Sequence, residues 1–234
     1  SAIGFRLKPI KPYVRLIIIM LTCHNLRCIR GEKLLFDRLG FSLQPGSALA
    51  LTGPNGGGKT SLMRILSGLM EPAQGEVTWQ GQPIRHNADY SEHLLYIGHQ
   101  NAIKPELSVY DNVQYWAALQ DCEMLVPAAL EFFGLWPMAD LPAGQLSAGW
   151  QRRVALTRLL STPSLIWLLD EPATNLDVEG IMLVEGLIET RIKQGGIVIL
   201  TSHSASPNAM IRYLHLEDFE GEYTVFDEAQ IHAA

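Results

Sequence analysis

The eight residues Gly53-Pro54-Asn55-Gly56-Gly57-Gly58-Lys59-Thr60 constrain this chain more than any others. They fit G-x-x-x-x-G-K-[ST]. An apolar, strand-like run, "SALALTG" (47–53), leads in, and a helix-like run, "SLMRILSGL" (61–69), leads out. A loop of this composition suits phosphate. Glycines reach positive φ and let backbone N–H groups close around phosphate oxygens. Lys59 supplies a point charge for the outer phosphates, and the Thr60 hydroxyl suits a Mg²⁺ shell. The helix that follows aims its positive N-terminal end at the same ligand.

A strand–loop–helix unit of this kind predicts an α/β architecture, and other segments agree. "LLYIGHQ" (94–100), "LIWLLDEP" (165–172) and "IVILTSH" (197–203) are further continuous apolar runs that end in polar residues. Runs apolar on both faces suit buried parallel strands. Their polar residues fall at the carboxyl ends, where open α/β sheets place their sites. Between the second and third runs, 105–160 reads as mostly helical, punctuated by Pro127, Gly134, Pro137, Pro142 and Gly144. "PAALEFFGL" (127–135) has proline at a helix start and Gly134 just past its end. "GEVTWQGQPI" (75–84) and "YLHLEDFEGEYTVFD" (213–227) read as hairpins, the second turning near Glu220-Gly221.

At 234 residues, with 47% hydrophobic and 18% charged, the chain suits one large domain with an inserted lobe. The net charge of −6 is unevenly spread. Residues 1–31 carry Arg6, Lys8, Lys11, Arg15, Arg27 and Arg30 and no acid, so all 24 acids lie beyond them. An acidic body gives no general reason to bind nucleic acid, and positive charge for a phosphate ligand must be local. The longest apolar run near the N-terminus, Leu16–Cys23, is far below the ~20 residues that span a bilayer. Residues 1–19 form a basic leader: a targeting remnant, an upstream extension before Met20, or a tail outside the fold. Cys23, Cys28 and Cys122 lack a disulfide or zinc spacing and read as free thiols.

The run "LIWLLDEP" places Asp170 and Glu171 at a strand end. If the strand is still extended there, the two carboxylates point to opposite faces and take different roles. Asp170 fits the outer sphere of a Mg²⁺, and Glu171 fits a base or positioner for an attacking water. Such a pair could also simply cap the next turn. Gln100 and His203 end two of the apolar runs and suit phosphate sensors if those strands are neighbours; His99 competes with Gln100. A second anion holder appears at "LSAGWQRR" (146–153), where a serine and a glycine stand at an apparent helix start.

The ordered set of phosphate loop 53–60, Gln100, "LSAGW" (146–150), "LLDE" (168–171), "NLD" (175–177) and His203 resembles the nucleotide-binding subunits of ABC transporters. The resemblance covers about 21–210. It implies a P-loop NTPase (RecA-like) core with a mainly parallel sheet, an antiparallel β subdomain and an inserted helical lobe over about 101–160, all in one domain at 20–230. It implies ATP and Mg²⁺ as ligands, with Thr60 and Gln100 at the metal, Asp170 with the nucleotide, and Glu171, His203 and Gln100 in catalysis. It also answers why one domain carries two anion holders. Members pair head to tail, so Ser147, Ala148 and Gly149 would meet the ATP of a second copy of the chain, with Asp177 in the D-loop.

A finer likeness, in "GEVTWQGQPI", "GHQNAIKPELSVYDNVQYW" and "GGIVILTSH", is to the haem-export ATPases of cytochrome c maturation. It implies transmembrane ABC subunits as partners, with no nucleic acid and with membrane association only through those partners. The expected place is the cytoplasmic face of a bacterial inner membrane or the matrix face of the mitochondrial one. A non-transport ABC ATPase, or a transporter subunit for another substrate, stays open as an alternative. Two positions depart from the family pattern. Trp150 stands where the signature has glutamine, and the usual adenine-stacking aromatic falls near Ile29-Arg30.

Overall fold

The computed structural model describes residues 20–202 and 210–219. The chain opens with β1 (Leu21–Arg30), β2 (Lys33–Leu43) and β3 (Ala48–Thr52), then α1 (Lys59–Leu66). β4 (Gln74–Trp79), β5 (Gln82–Pro83), α2 (Ala88–Glu92) and β6 (Leu94–Ile97) follow. Four helices come next: α3 (Val109–Ala118), α4 (Val126–Phe132), α5 (Ala148–Leu156) and α6 (Arg158–Ser161). β7 (Ile166–Leu169), α7 (Val178–Lys193), β8 (Ile197–Thr201) and β9 (Ile211–His215) complete the described chain.

The strands form two sheets. The order β6-β7-β8-β3-β9 makes a five-stranded sheet in which every pair is parallel. The order β2-β1-β4-β5 makes a four-stranded antiparallel sheet. The four continuous apolar runs of the sequence are β3, β6, β7 and β8, all in the parallel sheet.

Strand alternation explains why both faces of that sheet are apolar. Leu49, Leu51, Ile166, Leu168, Ile197 and Ile199 belong to one core, shared with α1 and the antiparallel sheet. Their neighbours Ala48, Ala50, Trp167, Leu169, Val198 and Leu200 belong to a second core, shared with α3, α4, α5 and α7. The parallel sheet is thus the middle layer of three, and a period-2 pattern feeds two cores at once.

Three local readings have clear physical causes. The turn between β4 and β5 uses Gln80 and Gly81, both at positive φ (52° and 75°), the backbone a tight hairpin needs. Helix α4 has proline in its first turn, and Gly134 follows it at φ 66°. The 213–227 segment, by contrast, is not a hairpin arm where it is described. β9 pairs in parallel with β3, and Leu216–Phe219 coils into a 3₁₀ turn packed on the antiparallel-sheet core. Glu220-Gly221 lies outside the described residues, as do 1–19 and His203. Cys23, Cys28 and Cys122 are buried and form no disulfide. Among the described residues no helix is long and apolar enough to cross a membrane.

Candidate functional site

The carboxyl ends of the parallel strands converge on one edge, and the loop after β3 forms its floor. Gly58 caps α1 at φ 101°, where a side chain would meet Leu35 and the Phe36 ring at about 3.2 Å. Only glycine therefore lets the loop lie against the antiparallel sheet here. α1 starts at Lys59 and has no acid in its first turn, which leaves its N-terminal end electropositive. The Lys59 side chain is folded back into the loop. Its Nζ donates to the carbonyls of Gly53 (2.7 Å) and Pro54 (3.0 Å). Its charge is thus fixed beside the loop before any phosphate arrives.

A cavity of about 200 Å³ sits on this loop. Asn55, Gly56, Gly58, Lys59 and Thr60 line it, with Arg30 from the end of β1 and Glu171 from beyond β7. Lys33 approaches from the β1–β2 turn, its Nζ 3.5 Å from the Gly56 carbonyl. Two cations thus stand near the loop where the family pattern expects an aromatic. A roomier cavity of about 580 Å³, between the end of α1 and the β4–α2 segment, contains none of the candidate site residues.

Asp170 and Glu171 separate, but not by strand pleating. β7 ends at Leu169, and Glu171 has φ 49°, so the backbone has left the extended region there. The result is one buried and one cavity-facing carboxylate. Asp170 is 2% exposed. Thr201 Oγ1 donates to its Oδ1 (2.8 Å) and accepts from the Glu171 N–H (2.7 Å). The other oxygen, Asp170 Oδ2, is buried without a hydrogen-bond partner. A buried carboxylate oxygen left open is costly unless a ligand satisfies it, and a water of a Mg²⁺ hydration shell is a donor of the right chemistry. The Glu171 carboxylate accepts from Thr174 Oγ1 (3.1 Å) and lies 3.6 Å from His99 Nδ1.

The two strands that Gln100 and His203 follow in sequence, β6 and β8, are not paired with each other. β6 and β8 flank β7 on its two sides. Gln100 is exposed beyond the end of β6 and does not line the cavity, whereas His99 is the neighbour of Glu171. His203 lies outside the described residues.

The second anion holder is the start of α5. Ser147 is its N-cap and accepts from the Trp150 N–H at 3.5 Å. That bond uses a lone pair and leaves the hydroxyl proton free to donate. Ser147 and Ala148 are exposed and Gly149 is half-buried; none of the three lines the phosphate cavity. Gly149 packs so closely on the 173–176 segment that a Cβ would sit 2.5 Å from the Asn175 carbonyl. Asp177 caps α7 through the Gly180 N–H (2.9 Å) and pairs with Arg153 (2.6 Å). The Arg153 guanidinium also lies 4.7 Å over the Trp150 ring. Trp150 thus packs within its own chain, partly on the helical core.

Three site residues were not visible as such in the sequence. Thr201 reads as part of an apolar strand. Lys33 reads as part of a charged turn. Arg152 reads as half of an Arg-Arg doublet, yet it is 3% exposed and donates to the backbone just beyond β6 and just beyond β7. The one signal is that the doublet runs straight into apolar residues, "RRVAL" (152–156), all five of which are buried in the helix.

Comparisons with known proteins show the family and the fold. The ABC transporter family model matches residues 36–174. The cytochrome c biogenesis ATP-binding export protein CcmA of Paramagnetospirillum magneticum is 43% identical over 201 residues, covering 83% of this chain and 93% of that protein. The protein of the same description in Wolbachia pipientis is 46% identical over 188 residues, covering 80% and 91%. Among solved structures, the ATP-binding subunit of an ABC transporter superposes with a TM-score of 0.71 at 22% identity, covering 84% of this chain and 86% of that one, a likeness of fold.

Proposed function

This chain belongs to the ABC transporter family, and from that premise we propose that it is the ATP-hydrolysing subunit of a haem-handling membrane complex in c-type cytochrome biogenesis. One observation carries the nucleotide part. A cavity on the glycine loop brings Lys59, Thr60 and the Glu171 carboxylate together, while the serine-capped start of α5 lies outside it.

In this reading the loop N–H groups and the α1 N-terminus grip the phosphates, and Lys59 turns from two carbonyls to the outer phosphates. Thr60 and Gln100 would hold Mg²⁺ with the nucleotide, and Asp170 Oδ2 would accept from the metal's water shell. The metal would neutralise charge on the phosphates when bound. Glu171 accepts a hydrogen bond from the attacking water and aligns it with the γ-phosphate. The family resemblance gives His203 the role of a contact to that phosphate. Ser147, Ala148 and Gly149 of a second copy close the site from the other side, with Asp177 at the same junction. Hydrolysis to ADP and phosphate removes the group that bridges the two copies, so the closed dimer loses its differential stabilisation and opens.

The membrane part rests on the relatives' description as cytochrome c biogenesis export proteins. The exposed side of the helical lobe, with Leu107, Tyr115 and Leu119, suits the transmembrane partners. Val109, Asn112, Val113 and Ala117 of the same helix face inward. The chain then associates with a bacterial or mitochondrial inner membrane only through those partners.

The test combines two variants. Glu171→Gln keeps the fold and the binding groups but loses the water-aligning carboxylate, so it accumulates as a dimer with MgATP on size exclusion. Lys59→Ala abolishes turnover. A Glu171→Gln chain that stays monomeric, or a Lys59→Ala chain with normal turnover, overturns the nucleotide reading. Co-elution of cytochrome c maturation membrane proteins from mild detergent, and loss of c-type haem without this chain, test the membrane reading.

A further inference from the structure

Arg152 is a buried cation to which the nucleotide reading gives no role. Arg152 lies in α5, five residues after Ser147, and has almost no contact with solvent. A guanidinium does not give up its charge in a protein, so its burial must be offset by acceptors. Here the acceptors come from two separate parts of the site edge. Nη2 donates to the carbonyls of Asp170 and Glu171, both at 2.9 Å, and Nε leans on the Pro172 carbonyl at 3.4 Å. Nη1 donates to the Gly98 carbonyl (3.0 Å) and to Asn101 Oδ1 (3.2 Å). One side chain of α5 therefore ties together the end of β7 and the segment that carries His99 and Gln100.

The surroundings make this a node rather than a stray contact. Arg158, also buried, donates to the Asn101 carbonyl (3.2 Å) and stacks over Trp116 at 4.7 Å. Trp116 in turn donates to the Ala102 carbonyl at 3.3 Å. The 98–102 segment is thus clamped to the helical lobe by two guanidiniums. Glu171 needs such support, because a non-glycine residue at φ 49° is strained unless its neighbours over-determine it. Thr201 fixes its N–H and Arg152 fixes its carbonyl.

We propose that Arg152 is a positioning residue that holds the Glu171 backbone in its left-handed conformation and couples it to the signature helix α5. The helix start that would meet the partner's nucleotide and the carboxylate that aligns water in the chain's own site are then mechanically linked. Engagement of one site presets the other. This inference rests on the nucleotide reading above.

The test uses the full chain with Arg152→Met, which keeps the bulk and removes all donors, and Arg152→Lys, which keeps the charge but reaches fewer carbonyls. In Arg152→Met, kcat for MgATP falls at least about tenfold while KM and the affinity for a fluorescent ATP analogue stay within about threefold, because Arg152 does not touch the nucleotide. The Hill coefficient for ATP falls toward 1. Arg152→Lys recovers part of kcat. Arg152→Met in a Glu171→Gln background still forms the ATP-dependent dimer. If the folded Arg152→Met chain keeps its kcat and Hill coefficient, the proposal is wrong. It is equally wrong if kcat and KM change together in step with a lower Tm, or if both variants fail to fold, since Arg152 is then only part of the core. A wild-type chain that neither hydrolyses ATP nor dimerises as Glu171→Gln instead sinks the nucleotide reading itself.

Discussion

At the scale of single residues, the site edge turns on one hydroxyl. Thr201 Oγ1 donates to Asp170 and accepts from the Glu171 N–H, so both carboxylates depend on it. Thr201→Val has nearly the same shape but neither bond. It removes the acceptor Thr201 offers to the Glu171 N–H and the hydroxyl that donates to Asp170, whose Oδ2 is already without a hydrogen-bond partner. Losing a buried pair that includes a charged acceptor costs roughly 2–4 kcal/mol, so a urea melt should show a clear drop in midpoint. Turnover should fall more than nucleotide affinity, because Thr201 does not line the phosphate cavity. A variant with unchanged midpoint and unchanged kcat would show that Asp170 and Glu171 hold their places without it. The sequence hides this residue, since "IVILTSH" offers threonine as one more β-former in a strand whose described residues are all buried through Thr201.

At the scale of elements, α5 and α7 meet through contacts that make the signature more than a ligand site. Gly149 brings α5 against the Asn175 carbonyl, and Arg153 joins α5 to the Asp177 and Glu179 carboxylates at 2.6 and 3.1 Å. Gly149→Ala would force a Cβ to 2.5 Å from a backbone oxygen that cannot rotate away. The helix start must shift, and overpacking of this kind costs roughly 1–3 kcal/mol. The expected result is a lower Tm together with weaker ATP-dependent dimerisation of a Gly149→Ala, Glu171→Gln chain; an unchanged Tm would mean the segment yields freely. These elements also show what a sequence can and cannot carry. β3, β6, β7 and β8 were legible because parallel strands buried on both faces read as unbroken apolar runs. β9 was not, because Ile211 and Leu214 are buried while Arg212 and His215 are exposed, the pattern of an edge strand that hairpins share. β1 and β2 were missed for a related reason: their registers shift at several points, so no clean alternation survives in the sequence.

At the scale of the whole molecule, the proposed reading makes the phosphate loop and the start of α5 two half-sites on one chain, which only pairing would complete. That division was legible only through family resemblance, because a serine-capped helix looks the same whichever phosphate it serves. The proposed head-to-tail dimer makes a prediction that no single-chain site can imitate. Ser147→Asp keeps a good helix cap, since aspartate caps as well as serine, but sets a negative charge where a partner's γ-phosphate would lie. Lys59→Ala disables the other half-site. Each variant alone should be inactive, because every site in either homodimer has one ruined half. Mixed chains behave differently. In a heterodimer, the intact loop of the Ser147→Asp chain faces the intact signature of the Lys59→Ala chain, and one of two sites is whole. Random pairing of equal amounts makes half the dimers mixed, so the mixture should recover roughly a quarter of wild-type ATPase activity if the sites act independently, or less if they are coupled. The coupling proposed for Arg152 pulls this figure below a quarter, and a mixture with no recovery in which heterodimers are shown to form would mean that both sites must fire together. Full activity of either variant alone would mean that each chain encloses its nucleotide without a partner.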